Sequence, residues 1–127
     1  MRDLTKAEEQ IMRVLWRLER AFVKDIVARF PDPKPAYNTV LTVLRVLERK
    51  GVVAHRAYGR SHEFHPLVSR DEYRRVSLRA LVKDYFDDSL RDVVSQFAGD
   101  RRLDLRELEE IRTLLARKIA ERRGAGR

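Results

Sequence analysis

Asn38, Thr39, Thr42, Arg45 and Arg49 share one side of a segment whose other side is apolar. Amide and hydroxyl groups of this kind hydrogen-bond to base edges or phosphates, while guanidinium groups bridge to phosphate or pair with guanine. Asn38, Thr39 and Thr42 stand in the N-terminal half of that segment, the end that enters a DNA groove in helix-turn-helix proteins, and suit base reading. Arg45, Arg49 and Lys50 lie farther along and suit backbone phosphates. Arg56, Arg60 and Ser61 surround a short glycine turn that would carry a basic tip to phosphate or minor groove. Thr5 and Lys6 open another helical pattern, where free backbone amides favour an anion. An ordinary solvated helix face is the competing reading of the polar side.

Other chemistries lack their residues. His55, His62 and His65 cluster in sequence, but His62 and His65 are three apart on a strand and so face opposite ways, with no cysteine or fourth ligand in support. No metal site and no cofactor are expected. There is no glycine-rich phosphate loop, no metal-hydrolase helix motif and no nucleophile that stands out, so no enzyme is expected either.

The elements that must position these groups follow from periodicity. Thr5-Lys6-Ala7-Glu8 reads as a capping box opening a helix over 5–18, with Ala7, Ile11, Leu15 and Leu18 on one stripe beside Met12 and Trp16. Phe22, Ile26 and Phe30, flanked by Val23 and Val27, predict a shorter second helix stopped by Pro31, Pro33 and Pro35. The third helix is expected over 36–50, with Tyr37, Val40, Leu44 and Leu47 inward, Val43 on the flank, and Gly51 as its left-handed stop. The period then shortens toward two: 52–58 and 62–67 read as strands joined through Gly59-Arg60-Ser61. Three helices followed by a two-stranded hairpin is the order of a winged helix-turn-helix, its second and third helices forming the recognition unit.

Beyond Ser69-Arg70-Asp71-Glu72, a second capping box, a helix is expected to about Asp84 with Tyr73, Val76, Ala80 and Leu81 inward. Asp87 or Asp88 would cap the next, which aligns Leu90, Val93, Val94 and Phe97; Asp104-Leu105-Arg106-Glu107 opens a last helix aligning Leu108, Ile111, Leu115 and Ile119. A segment of this size is marginal for a core of its own. A second copy covering the stripes gives a homodimer, with Leu90, Val93, Val94, Phe97, Leu108, Ile111 and Leu115 as its interface, and the two-fold symmetry suited to an inverted repeat in double-stranded DNA. The expected fold is therefore mostly α with a small β-hairpin wing: a winged-helix DNA-binding domain over 1–69 and a helical dimerisation region over 70–127.

Charge agrees with a polyanionic partner. The 127 residues carry a formal net charge of +8, and residues 1–69 hold 13 Lys/Arg against 8 Asp/Glu, more of the excess than any other stretch. With no cysteine there is no disulfide framework or thiolate ligand. The start is polar and no apolar run approaches a bilayer span, so a cytoplasmic protein without stable membrane association is expected.

Four motifs in order then point to a family. Leu4-Thr5-x-Ala7-Glu8-x-x-Ile11-Met12-x-x-Leu15-Trp16, Asn38-Thr39-Val40-x-Thr42-x-Leu44-x-x-Leu47-x-x-Lys50-Gly51, Tyr58-Gly59-Arg60, and Phe64-x-Pro66-Leu67-Val68-Ser69 resemble the penicillinase repressors, the BlaI/MecI/CopY group of bacterial winged-helix regulators. The resemblance continues through Tyr85-Phe86-Asp87-Asp88-Ser89-Leu90 and Leu105-x-Glu107-Leu108-x-x-Ile111. It implies a homodimer that blocks transcription at dyad-symmetric operators, with Asn38, Thr39, Thr42 and Arg45 in the major groove and Arg60 on the wing. Members controlling beta-lactam resistance are inactivated when a membrane sensor protease triggers a cut at an Asn-Phe bond. The matching position is Gln96-Phe97, where the Asn is absent. Copper-responsive members carry a Cys-x-Cys pair, which this chain lacks.

Two other functions share some of these features. A nonspecific or architectural DNA-binding protein would use the same charge but lose affinity on salt addition almost equally for every sequence. A winged-helix protein-interaction module without DNA binding would tolerate truncation of Asn38, Thr42, Arg45 and Arg60.

Overall fold

The first helix begins where Thr5 and Glu8 satisfy each other's backbone. The Thr5 hydroxyl accepts from the Glu8 amide at 3.1 Å, and the Glu8 carboxylate accepts from the Thr5 amide at 2.8 Å. In the computed structural model, which describes residues 4–126, the elements in chain order are α1 (Lys6–Leu18), β1 (Ala21–Phe22), α2 (Val23–Ala28), α3 (Tyr37–Arg49), β2 (Val53–Tyr58), β3 (Ser61–Pro66), α4 (Arg70–Phe86), α5 (Leu90–Ala98) and α6 (Leu105–Ala125). The fold is mostly helical with one small antiparallel sheet.

The winged unit has one core. Ile11, Met12 and Leu15 of α1, Val23 and Ile26 of α2, and Val40, Leu44 and Leu47 of α3 meet Val52, Val53 and Phe64 from the hairpin. Fully burying side chains of this size stabilises by about 1.5–3 kcal/mol each before the entropy of ordering them. The apolar stripe of α1 differs from its expected course: Ala7 is exposed and Glu8, one residue on, is buried at 4%. The second helix is shorter than its pattern, because Phe30 lies past the end of α2 and reaches the core from the following turn. Lys34 then donates to the carbonyls of Ala28 and Phe30 at 3.2 and 2.6 Å, satisfying acceptors left by the helix end.

The sheet has strand order β1-β3-β2, both pairs antiparallel. Its third strand is an addition to the expected hairpin: Ala21 pairs with Phe64 and Phe22 with Glu63, so the link from α1 to α2 covers one edge of the wing. The turn is also tighter than expected. Tyr58 and Ser61 are paired, leaving Gly59-Arg60 as a two-residue connection, and Gly59 takes the positive φ of 62° that such a turn requires. Gly51, at φ 78°, occupies the left-handed position after α3.

Residues up to 80 and from 81 onward form two units. The first includes the beginning of α4, and three contacts hold α1 to it and to the residues just before it. The Trp16 indole donates to the Val68 carbonyl at 2.8 Å, the Tyr73 hydroxyl donates to Glu9 at 2.9 Å, and the two rings lie 5.4 Å apart. Burial and then the hydrogen bond to Glu9 push the Tyr73 phenol above its ordinary pKa, so the hydroxyl keeps the proton it donates. In the second unit α4 runs to Phe86, beyond the expected Asp84. The cap of α5 is Ser89, which accepts from the Asp92 amide at 3.1 Å; Asp87 and Asp88 both have positive φ and form the turn before it. Asp104 caps α6 by accepting from the Glu107 amide at 2.9 Å.

Candidate nucleic-acid interface

Val40, Leu44 and Leu47 bury one stripe of α3, and the spacing of Asn38, Thr42, Arg45 and Arg49 places these four together on the opposite, exposed side. Thr39 is exposed on the flank. The Thr42 hydroxyl donates to the Asn38 carbonyl at 2.8 Å, so toward solvent it offers acceptor lone pairs and its methyl group. Such a group accepts from the amino group of adenine or cytosine, or packs on a thymine methyl. The guanidinium groups of Arg45 and Arg49 have no protein partner among the described residues.

Arg60 stands exposed at the tip of the wing, and Ser61 opens β3 beside it. Arg56 lies across from Glu63 in the register; the Tyr58 side chain first, and then the Glu63 charge, raise its already high pKa. The wing is tied to the end of α3 by a contact between His55 Nδ1 and Glu48 Oε2 at 2.5 Å, and His55 stacks on His62 with ring centroids 4.3 Å apart. Among the described residues no group of three or more His, Cys, Asp or Glu is arranged to hold a metal ion.

Three of the proposed phosphate contacts meet at one place. Lys6 is exposed on the first turn of α1, and Thr5 is engaged in the capping box. Lys50 donates from Nζ to Oε1 of the buried Glu8 at 2.9 Å, joining the end of α3 to the start of α1. Burial raises the Glu8 pKa, but the Lys50 hydrogen bond, the Thr5 amide and the Lys50 charge outweigh it, and the net shift is downward. Lys50 therefore has a role inside the fold that its place in a basic sequence run does not disclose.

A cleft of about 410 Å³ lies between the wing and the α2–α3 pair, lined by Phe22, Lys24, Tyr37, Tyr58, Ser61 and His62. Tyr37, expected on the buried stripe, is 52% exposed at the first turn of α3, and Tyr58 is 49% exposed. Lys24, Tyr37 and Tyr58 are thus candidates that helical periodicity alone did not single out. The signal available for the tyrosines was their chemistry, a polar end on an apolar ring.

In the second unit Leu90, Val94, Phe97, Ile111 and Leu115 are exposed and Leu108 is half-buried. Val93 instead is 7% exposed, so a single chain already covers it. Gln96 and Phe97 lie exposed near the end of α5. No helix among the described residues is long and apolar enough to cross a membrane.

Comparison with known proteins gives one family. The chain is 21% identical over 114 residues to the penicillinase repressor of Bacillus licheniformis, covering 89% of each chain. It is 20% identical over 117 residues to the methicillin resistance regulatory protein MecI of Staphylococcus aureus strain N315, covering 91% of this chain and 95% of that one. A solved RosR complex, hsRosR-SG, is similar in fold, with a TM-score of 0.51 at 20% identity over 94% of this chain and 95% of that chain. The family model described as penicillinase repressor matches residues 4–117. The chain therefore belongs to the penicillinase repressor family, whose members are transcriptional regulators and not enzymes.

Proposed function

We propose that the chain acts as a homodimer on an inverted repeat, with α3 of each copy in the major groove and the wing on the flanking backbone. The observation that carries this reading is the division of α3 into a wholly buried stripe and an exposed line of Asn38, Thr42, Arg45 and Arg49 opposite it. Asn38, Thr39 and Thr42 read base edges, with Arg45 next along the same line. Arg49, Arg56, Arg60 and Ser61 hold the phosphates, together with Lys6 and the Thr5 end of α1. Lys24, Tyr37 and Tyr58 add a strand-binding cleft beside them.

Dimerisation is supported by the second unit. Leu90 is 61% exposed, Phe97 57% and Leu115 49%, while Val93 is the one buried residue among the described residues from 81 onward. A helical segment that covers so little of itself needs a partner surface, and a second copy supplies the same stripes in two-fold relation. Selection of bound fragments from a random double-stranded pool tests the whole reading. Recovery of an inverted repeat is the expected result; retention without sequence enrichment, or no retention at low salt, would overturn it.

A further inference from the structure

The winged unit holds a second concavity, away from α3 and the wing tip. It has a volume of about 590 Å³ and is walled by Trp16 of α1 and Arg20 in the link to β1, by His65 and Pro66 of β3, and by Ser69 and Arg70 at the start of α4. The size lies within the range of about 300–1,000 Å³ usual for small-molecule sites. Arg56 and Glu63 also reach it, but they face each other across the β2–β3 register and offset one another.

Arg20 and Arg70 do not have that compensation. Among the described residues neither guanidinium has an ion-pair or hydrogen-bond partner, although tertiary folding brings both to one concavity. Glu19 is the only carboxylate lining it besides Glu63, so the walls carry an excess of positive charge. Trp16 supplies a flat apolar surface. Its Nε1 is spent on the Val68 carbonyl and its ring centroid lies 5.4 Å from that of Tyr73, which fixes the indole where it lines the cavity with Pro66.

We propose that this concavity binds a small organic anion, a carboxylate or phosphate on a flat apolar body, with Arg20 and Arg70 on the charge and Trp16 under the body. A lone DNA phosphate needs no aromatic floor, and neither arginine belongs to α3 or the wing turn. Because Trp16 also anchors the start of α4, a ligand here touches the α1–α4 junction directly.

Trp16 is the only tryptophan in the chain, so its fluorescence reports occupancy. Phenyl phosphate titrated into the full-length protein is expected to change the emission saturably and to raise the melting temperature, as any ligand of the folded state does. Phenol, which lacks the anion, is expected to do neither at the same concentrations. Arg20→Ala and Arg70→Ala should each weaken phenyl phosphate binding about tenfold, the value of one charge-assisted hydrogen bond, with Arg→Lys variants intermediate. Both side chains are exposed and unpartnered, so the variants are expected to unfold at the wild-type temperature without ligand. A response that does not saturate, or that survives in the Arg20→Ala/Arg70→Ala double variant, overturns the proposal. So does a double variant that loses DNA affinity and salt dependence while phenyl phosphate gives no response, since that assigns the pair to the DNA backbone.

Discussion

Glu8 has two roles in the fold, and Lys50 joins them. Glu8 completes the cap of α1 and is also a buried charge, 4% exposed, that Lys50 must neutralise. Lys50→Met is therefore expected to cost about 2 kcal/mol at neutral pH, the scale of leaving a buried acceptor without its partner. The pH dependence follows from the sign of the shift. In the wild-type protein the Glu8 pKa is lowered, so its contribution is fully present above the ordinary carboxylate value and is lost as pH falls through the lowered one. Without Lys50 the largest influence on Glu8 is burial, which raises its pKa, so the variant's deficit should be greatest at neutral pH and shrink on acidification. Urea unfolding of both proteins at neutral and acid pH checks this; an equal deficit at every pH would assign the loss to something other than the Glu8 charge.

At the scale of elements, long amphipathic runs were legible and short or chemically mixed ones were not. The buried stripe of α3 follows directly from Val40, Leu44 and Leu47, and the exposed line follows as its complement. The strand Ala21–Phe22 is too short to show a period of two, and its existence depends on pairing with Phe64 and Glu63, far along the chain. Tyr37 satisfied the apolar spacing, yet it stands on the first turn of α3 with about half its surface exposed, beside a cleft that only tertiary folding creates. Asp87 and Asp88 are good capping types in the wrong backbone conformation, and Ser89 takes that role. The wing offers a test at the same scale. Arg60 lies on a two-residue turn and is proposed to hold a phosphate, so Arg60→Ala should weaken binding to all sequences alike and reduce the slope of log affinity against log salt by about 1. A loss confined to one base position, measured by fluorescence anisotropy at several salt concentrations, would contradict that role.

At the scale of the molecule, the two units contrast in how they are stabilised. The winged unit closes a core around Met12, Leu15, Ile26, Leu44 and Phe64, whereas α5 and α6 leave Leu90, Phe97, Leu114, Leu115 and Ile119 exposed. Leu90→Glu or Phe97→Glu is expected to convert the proposed dimer to a monomer in sedimentation and to lower affinity for a two-half-site operator by at least about tenfold, because the second half-site would no longer bind as an intramolecular event. A variant that remains dimeric would place the interface elsewhere. Val93→Glu should differ from both, unfolding the helical unit, since Val93 is already buried within one chain.

On the proposed function, the exposed line of α3 reads base sequence. Binding-site selection performed in parallel with the wild-type protein and with Asn38→Ala and Thr42→Val separates base reading from backbone attraction. Thr42→Val keeps a methyl group and removes the outward acceptor, so the predicted result is the same inverted repeat with preference relaxed at one symmetric pair of positions, and at a different pair for Asn38→Ala. Identical motifs from all three proteins would mean that neither side chain reads a base.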